Sequence, residues 1–172
     1  MADIAAFLAR RRVALGGLCA LVALIVARPT WPWWWTGLAV ASTGEALRVW
    51  AAGHLEKNRE VTTSGPYRWM RHPLYYGSGL MALGIIVATH HPVVGLIGTV
   101  YFATAVPAAI RSEEMHLRST FGDLYDRYAR DQAPRAARRF SVERAMRNKE
   151  YRAVTGLVAG FALLALKIRL HL

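Results

Sequence analysis

The sequence predicts an all-α protein, an integral membrane helical bundle of about five transmembrane helices with a cytoplasmic helical extension. Hydrophobic residues make up 54% of the 172 residues, and the mean hydropathy is +0.20. The chain nevertheless carries a formal net charge of +11. Apolar runs alternate with polar segments, and no strand-like alternation extends over more than a few residues. High apolarity combined with strong positive charge is typical of small polytopic membrane proteins with basic cytoplasmic loops.

The first apolar run covers residues 13–27 and follows three arginines, Arg10 to Arg12. A charged start before a short apolar core is also typical of a signal peptide. No small-residue cleavage motif follows, however, because residues 28–35 contain two prolines and four tryptophans. Tryptophan is enriched at membrane interfaces, so we expect a retained helix that ends in an interfacial belt.

The second run, residues 36–55, contains two charged residues, Glu45 and Arg48. A charge at mid-bilayer costs about 2.5–3.5 kcal/mol on insertion scales, so such residues usually face the bundle and pair. Because they are three positions apart on one helix, Glu45 and Arg48 can pair with each other. The two residues then either form a structural ion pair or line the wall of a functional site.

The third and fourth runs, residues 74–89 and 93–110, flank a short turn at His90-His91-Pro92 and predict a helical hairpin. Adjacent histidines on a turn diverge, so we expect no metal site there. The fifth run, residues 153–170, spans a bilayer if Lys167 and Arg169 extend to the far interface.

The basic residues predict the orientation of this bundle. With the N-terminus in the cytoplasm, nineteen of the twenty-two lysines and arginines fall on the cytoplasmic side, which is a strong positive-inside bias. We therefore expect an integral membrane protein with a cytoplasmic N-terminus, in a bacterial inner membrane. Membrane lipids are the expected surroundings, and no nucleic-acid partner is needed to explain the charge.

The first polar region, residues 56–73, contains a turn signal at Gly65-Pro66. Pro73 suits the first turn of a helix, where its missing N–H is not needed. Arg71 and His72 then lie at a helix N-terminus, whose free N–H groups favour an anionic or polar ligand. The alternative interpretation is interfacial anchoring, since Arg, His, Trp and Tyr favour the headgroup layer.

The second polar region covers residues 111–152 and begins as a continuation of the fourth helix. Glu114 shares one helical face with Arg111 and Arg118, which predicts ion pairs along that face. Gly122 is of the residue type that ends helices and is expected to end this one.

Two motifs, about forty residues apart, lie in these regions. The first is Gly65-Pro66-Tyr67…Arg71-His72-Pro73-Leu74-Tyr75-Tyr76-Gly77 and the second is Glu113-Glu114…Leu117…Phe121-Gly122…Tyr125…Tyr128. With a helical hairpin between them, they resemble the isoprenylcysteine carboxyl methyltransferase family, which is related to the phospholipid N-methyltransferases. The resemblance covers residues 36–130.

The resemblance implies an enzyme with an S-adenosylmethionine pocket at the cytoplasmic ends of the third and fourth helices. By similarity, the catalytic candidates next to the acceptor are Arg111 and Glu114. The residues that would hold the cofactor are Gly65, Tyr67, His72, Pro73, Tyr75, Tyr76 and Glu113.

The same resemblance implies methyl transfer to a lipophilic acceptor or lipid, with a carboxylate as the favoured acceptor group. A carboxylate is ionised at neutral pH and needs orientation by an arginine rather than a general base. The alternative is N-methylation of a phospholipid or other amine, which would need a base such as His72 or a glutamate. A sterol-type membrane reductase using NADPH and a non-catalytic membrane protein are the remaining alternatives.

We expect a single membrane domain, residues 1–172, that departs from the family after the second motif. An Arg-rich segment, residues 131–152, and an additional span, residues 153–170, follow the family-like core. The arginines of residues 135–152 are expected to lie against anionic lipid headgroups.

Overall fold

The computed structural model describes residues 16–171, and these residues form helices and connecting segments without strands. The predicted all-α class is therefore confirmed for the described part. The arginines at positions 10–12 and the start of the first apolar run lie outside the described residues. The elements in chain order are α1 at Gly16–Val26, α2 at Trp31–Ala52, a 3₁₀ turn at Gly65–Arg68, α3 at Pro73–Thr89, α4 at Pro92–Phe121, α5 at Asp123–Ala129, α6 at Val142–Arg147 and α7 at Tyr151–Arg169.

Two of the described helices, α4 and α7, are long and apolar enough to cross a bilayer. The helices α1 and α3 are apolar but shorter, and α2 contains two charged residues. Length and composition therefore confirm the membrane character of the protein but support two crossing helices in residues 16–171, not five. The helix α2 begins at Trp31, earlier than the predicted start near Thr36, because Pro32 lies in its first turn and favours helix initiation there.

Small residues bring α2 and α3 into close antiparallel contact. A Cβ atom added to Gly37 would lie 2.4 Å from the carbonyl oxygen of Gly84, and one added to Gly44 would lie 2.6 Å from that of Gly77. Ala41 is fully buried between these two contacts. Close backbone approach through small residues is the usual way in which membrane helices associate.

The helix α7 packs beside this pair and completes the apolar core. Leu157, Phe161 and Leu164 of α7 cluster with alanines of α2 and α3. The indole N–H of Trp34 donates to the carbonyl of Phe161 at 2.9 Å, which joins α2 to α7. Lys167 donates to two carbonyls at the end of α1, at 3.0 and 2.7 Å.

The other end of the bundle, where α2 ends and α3 and α7 begin, is the polar end. The helix α4 extends beyond its apolar part to Phe121, as predicted, and Gly122 caps it with φ of 50°. The short helix α5 then turns back toward the 3₁₀ turn, where the Tyr128 hydroxyl donates to the carbonyl of Tyr67 at 2.9 Å.

The Arg-rich segment differs from the sequence-based expectation. Three of its arginines, Arg138, Arg144 and Arg147, bind glutamates of the loop that follows α2. Arg138 forms an ion pair with Glu60, and Arg144 and Arg147 bind Glu56 at 2.8 and 3.1 Å. The Arg144–Glu56 pair is largely buried, so each of these two charges needs the other as its partner.

We predict that Gly84→Ala destabilises the protein by about 1–3 kcal/mol, because the new methyl group would overlap α2. The added Cβ would lie 2.5 Å from the backbone nitrogen of Ala41. The matched control is Gly160→Ala on α7, where nothing lies within 4 Å of the added atom. This control should be neutral or slightly stabilising. Thermal unfolding in detergent measures both, and equal stability of the two variants would contradict the close packing.

Candidate functional site

A cavity of about 730 Å³ opens at the polar end between α2, α3 and α4. Its lining on α4 extends from Tyr101 to Leu117, about 24 Å at 1.5 Å per residue. We call its two regions the polar part and the apolar part. The polar part is lined by Glu56, Glu60, Tyr67, Glu113, Asn148 and Glu150. The apolar part is lined by Leu74, Tyr101, Phe102, Ala105, Val106 and Ala109.

Arg48 lies in the cavity wall and connects three elements. Its Nε and Nη2 atoms donate to the two carboxylate oxygens of Glu150 at 2.7 and 3.1 Å. Its Nη1 atom donates to the Ser78 hydroxyl at 2.5 Å and to the Leu74 carbonyl at 3.4 Å. A bidentate pair of this kind fixes the guanidinium geometry.

The predicted pair between Glu45 and Arg48 is present, but it is not the closest contact of the arginine. Glu45 lies 3.8 Å from Arg48 Nε, whereas Glu150 lies 2.7 Å from the same atom. The two carboxylate oxygens of Glu45 are buried and have no hydrogen-bond partner among residues 16–171. Arg48 lines the cavity and Glu45 does not, so only the arginine belongs to the wall.

Glu114, near the C-terminal end of α4, connects this helix to the start of α3. Its Oε1 atom lies 3.1 Å from His72 Nε2 and 3.3 Å from Arg71 Nη1, and Arg118 lies 4.0 Å from its other oxygen. Burial alone would raise the pKa of Glu114, but the hydrogen bond from His72 and the charges of Arg71 and Arg118 hold this pKa below its usual value. Glu114 is therefore an ionised anchor for His72 and Arg71.

The Gly65-Pro66 turn packs against a buried histidine. Gly65 has φ of +58°, and an added Cβ would lie 2.5 Å from the His54 ring, so both its conformation and its surroundings require glycine. His54 is 5% exposed, and its Nδ1 atom lies 3.1 Å from the Ser64 hydroxyl. This packing sets the position of Tyr67, which follows the turn and lines the cavity.

Three of the seven predicted cofactor residues line the cavity: Tyr67, Tyr75 and Glu113. The other four belong to the elements that border the cavity, although they do not line it. Pro73 is buried at the start of α3, and Tyr76 is 60% exposed in the next turn. His72 is held by Glu114, and Gly65 by its contact with His54.

The two predicted catalytic residues lie beside the cavity. Neither Arg111 nor Glu114 lines it, although Ser112 and Glu113 between them do. Arg111 is exposed and forms no ion pair within residues 16–171. The structure thus brings Glu114 together with His72 and Arg71, but it does not bring Arg111 into that cluster.

Three of the tyrosines that line the cavity, Tyr67, Tyr125 and Tyr128, remain protonated near neutral pH. Burial raises the pKa of Tyr125 to about 12. Burial also raises the pKa of Tyr67 and of Tyr128, and the negative charge of Glu113 adds to the effect at Tyr67. These phenols are therefore neutral near pH 7 and are poor bases.

Glu56, Glu60, Asn148 and Glu150 are among the polar lining residues that sequence reasoning missed. These residues lie outside the two motifs, so no local sequence pattern connected them with the site. A signal was available for Glu150 alone. It is an acidic residue in a strongly basic segment, and the charged Arg48 within an apolar helix needs a carboxylate partner.

The comparison with known families gives a clear assignment. The model of the phospholipid methyltransferase family matches residues 12–124. The chain belongs to this family, and the predicted kinship with isoprenylcysteine methyltransferases is confirmed. No solved structure matches the chain significantly.

Named relatives fall into two groups. The nickel-cobalt-cadmium resistance protein NccN of Alcaligenes xylosoxydans xylosoxydans is 32% identical over 72% of this chain and 63% of its own length. The cobalt-zinc-cadmium resistance protein CzcN of Cupriavidus metallidurans is 38% identical over 55% of this chain and 43% of its own length. A probable protein-S-isoprenylcysteine O-methyltransferase of Oryza sativa subsp. indica is 34% identical over 54% of this chain and 48% of its own length. The chain thus spans only part of each of these relatives.

We predict that acidification destabilises the protein through His54. Burial, together with the nearby charges of Arg144, Arg138 and Arg68, holds the pKa of His54 below its usual value. The unfolded chain takes up the proton near pH 6.5, so this contribution to stability is complete above that pH and is lost as the pH falls toward the lower native pKa.

The measurement is thermal unfolding in detergent at pH 7.5 and pH 5.5. His54→Asn should reduce the difference between the two midpoints, whereas His171→Asn, at an exposed position, should leave it unchanged. The same pH dependence in wild type and His54→Asn would show that this histidine does not contribute.

Proposed function

We propose that this protein is an integral membrane methyltransferase that uses S-adenosylmethionine and acts on a lipophilic acceptor at the cytoplasmic membrane interface. The observation that carries the proposal is the cavity, because it joins a polar part at the end of the bundle to an apolar part along α4. A polar cofactor and an acceptor with an apolar chain each find matching surroundings there. Membership of the phospholipid methyltransferase family supports the same reaction class.

The polar part suits S-adenosylmethionine, which supplies a methyl group that is already activated on a positively charged sulfonium. Glu113 lines this part and forms no ion pair with any residue between 16 and 171. An unpaired carboxylate attracts the cationic groups of such a ligand. Tyr67 and Tyr75 line the same cavity. By resemblance to the family, the remaining residues proposed at its border are Gly65, His72, Pro73 and Tyr76.

For the acceptor we propose a carboxylate on an apolar chain, as the name of the rice relative suggests. An ionised carboxylate needs an arginine for orientation, and Arg71 lines the cavity while Arg111 adjoins the lining residue Ser112. Glu114 holds Arg71 at 3.3 Å and so supports this arrangement. The main requirement of a displacement at an activated methyl is that the reacting groups are aligned and that water is kept out.

Methylation of a phospholipid or other amine is a second candidate, favoured by the family whose model matches. An amine must lose a proton, and His72 is the candidate base at the cavity border. Its Nε2 atom lies 3.1 Å from Glu114 Oε1, so the carboxylate can stabilise the imidazolium that results.

We also propose that α1, α2, α3, α4 and α7 all cross the membrane, with the N-terminus in the cytoplasm. Apolar length alone supports α4 and α7. For α2, the support comes from Arg48, whose guanidinium group extends to Glu150 at the polar end and therefore does not remain unpaired within the bilayer. The basic loops support the orientation.

We predict that the purified full chain binds S-adenosylmethionine and S-adenosylhomocysteine but not NADPH, because the unpaired Glu113 favours a cationic or amine-bearing ligand over a polyanion. Calorimetric titration in detergent measures all three. If the protein binds neither sulfur compound, the proposed function is wrong, and binding of NADPH alone would favour a reductase. Transfer of labelled methyl to an S-prenylated cysteine carboxylate or to phosphatidylethanolamine then distinguishes the two acceptor classes.

We predict different effects for the two neighbouring charges on α4. Glu113→Gln should weaken S-adenosylmethionine binding by about tenfold, because a charged hydrogen-bond partner is lost. Arg111→Gln should raise the KM for the acceptor and leave cofactor binding unchanged. Glu143→Gln on α6, at an exposed position, is the control for a general charge effect. Loss of cofactor binding in a folded Arg111→Gln variant would contradict this division of roles.

A further inference from the structure

The segment of residues 134–150 contributes two side chains to the wall of the polar part of the cavity. The segment is fastened to the end of α2, where the Ser141 N–H donates to the carbonyl of Gly53 at 3.1 Å. Asn148 and Glu150 both line the cavity. The matched family region ends at residue 124, so neither residue is part of it.

The side-chain amide of Asn148 has a defined orientation. Its Nδ2 atom donates to the carbonyls of Ala52 and Leu55, each at 2.9 Å. The reversed amide would place Oδ1 against these two acceptors, so the network determines the assignment. No residue between 16 and 171 donates to Oδ1. Asn148 therefore presents a hydrogen-bond acceptor without a protein partner in the cavity wall.

Glu150 adds further acceptor capacity next to Asn148. The residue is 5% exposed, and each of its carboxylate oxygens accepts one hydrogen bond from Arg48. A carboxylate oxygen has two lone pairs, so both oxygens can accept another donor. The guanidinium group of Arg48 offsets the negative charge of Glu150, so the wall does not require a charged donor at this point. The oxygen atoms of Asn148 and Glu150 thus suit uncharged hydrogen-bond donors, namely hydroxyl groups.

We propose that Asn148 and Glu150 form a subsite for neutral hydrogen-bond donors, and that it takes the two vicinal hydroxyls of the ribose in a nucleoside cofactor. This inference rests on the proposed function, because it assumes an adenosyl ligand in the polar part. In this arrangement Glu113 contacts the cationic groups of that ligand, since it is the lining carboxylate without an ion pair among the described residues. The segment that follows the family match is then part of the ligand site.

The test pairs a change in the protein with a change in the ligand. S-adenosylhomocysteine and its 2′,3′-dideoxy analogue are titrated calorimetrically into the detergent-solubilised full chain. The variants are Asn148→Ala and Glu150→Gln, with Glu143→Gln as the control on the exposed side of the same segment. A disturbance of the wall as a whole would weaken both ligands equally, whereas loss of a hydroxyl contact weakens only the ligand that carries the hydroxyls.

We expect Asn148→Ala to weaken S-adenosylhomocysteine binding by about three- to tenfold, as for a single hydrogen bond, and to leave the Kd of the dideoxy analogue nearly unchanged. Equal effects on both ligands, or none, would overturn the inference. If Asn148→Ala does not fold, Glu150→Gln preserves the side-chain shape and gives the same comparison. Failure of the wild type to bind S-adenosylhomocysteine and S-adenosylmethionine would contradict the proposed function itself, and this inference with it.

Discussion

The close approach of α2 and α3 is the constraint on which the cavity depends. A Cβ atom at Gly77 would lie 2.5 Å from Arg48 Cγ, so the missing side chain makes room for the stem of the arginine. Arg48 can then bind Ser78 on α3 and Glu150 before α7. The small residues therefore serve two purposes, since they bring two helices together and place an arginine in the cavity wall.

Ion pairs with arginines offset the charge of most carboxylates that line the cavity. Three of its lining carboxylates are bound by arginines: Glu56, Glu60 and Glu150. Glu113 has no such partner among the described residues. Because paired charges largely cancel, Glu113 on α4 is the lining carboxylate whose charge no arginine among the described residues offsets. Arginines of the Arg-rich segment offset the charge of Glu56 and Glu60, and Arg48 of α2 offsets that of Glu150.

The sequence predicted part of the cavity lining where local motifs carry the information. Tyr67, Tyr75 and Glu113 were identified from the two motifs and line the cavity. The motifs did not reveal that Glu114 anchors His72, because that contact joins the start of one helix to the end of another. The Arg-rich composition of residues 135–152 led to the expectation of contacts with lipid headgroups, whereas Arg138, Arg144 and Arg147 bind glutamates of the loop that follows α2.

The sequence by itself determined the helical class, the hairpin of α3 and α4 and the helix end at Gly122, together with the family and the motif residues. These features follow from apolar periodicity, proline and glycine positions and short motifs, all of which act within a few turns of the chain. Only the tertiary structure decided the partner of Arg48, since Glu150 lies 102 residues further along the chain. It likewise decided that Asn148 and Glu150 lie together in the cavity wall. Many glutamates are available to one buried arginine, and packing, not local sequence, selects the one that meets it.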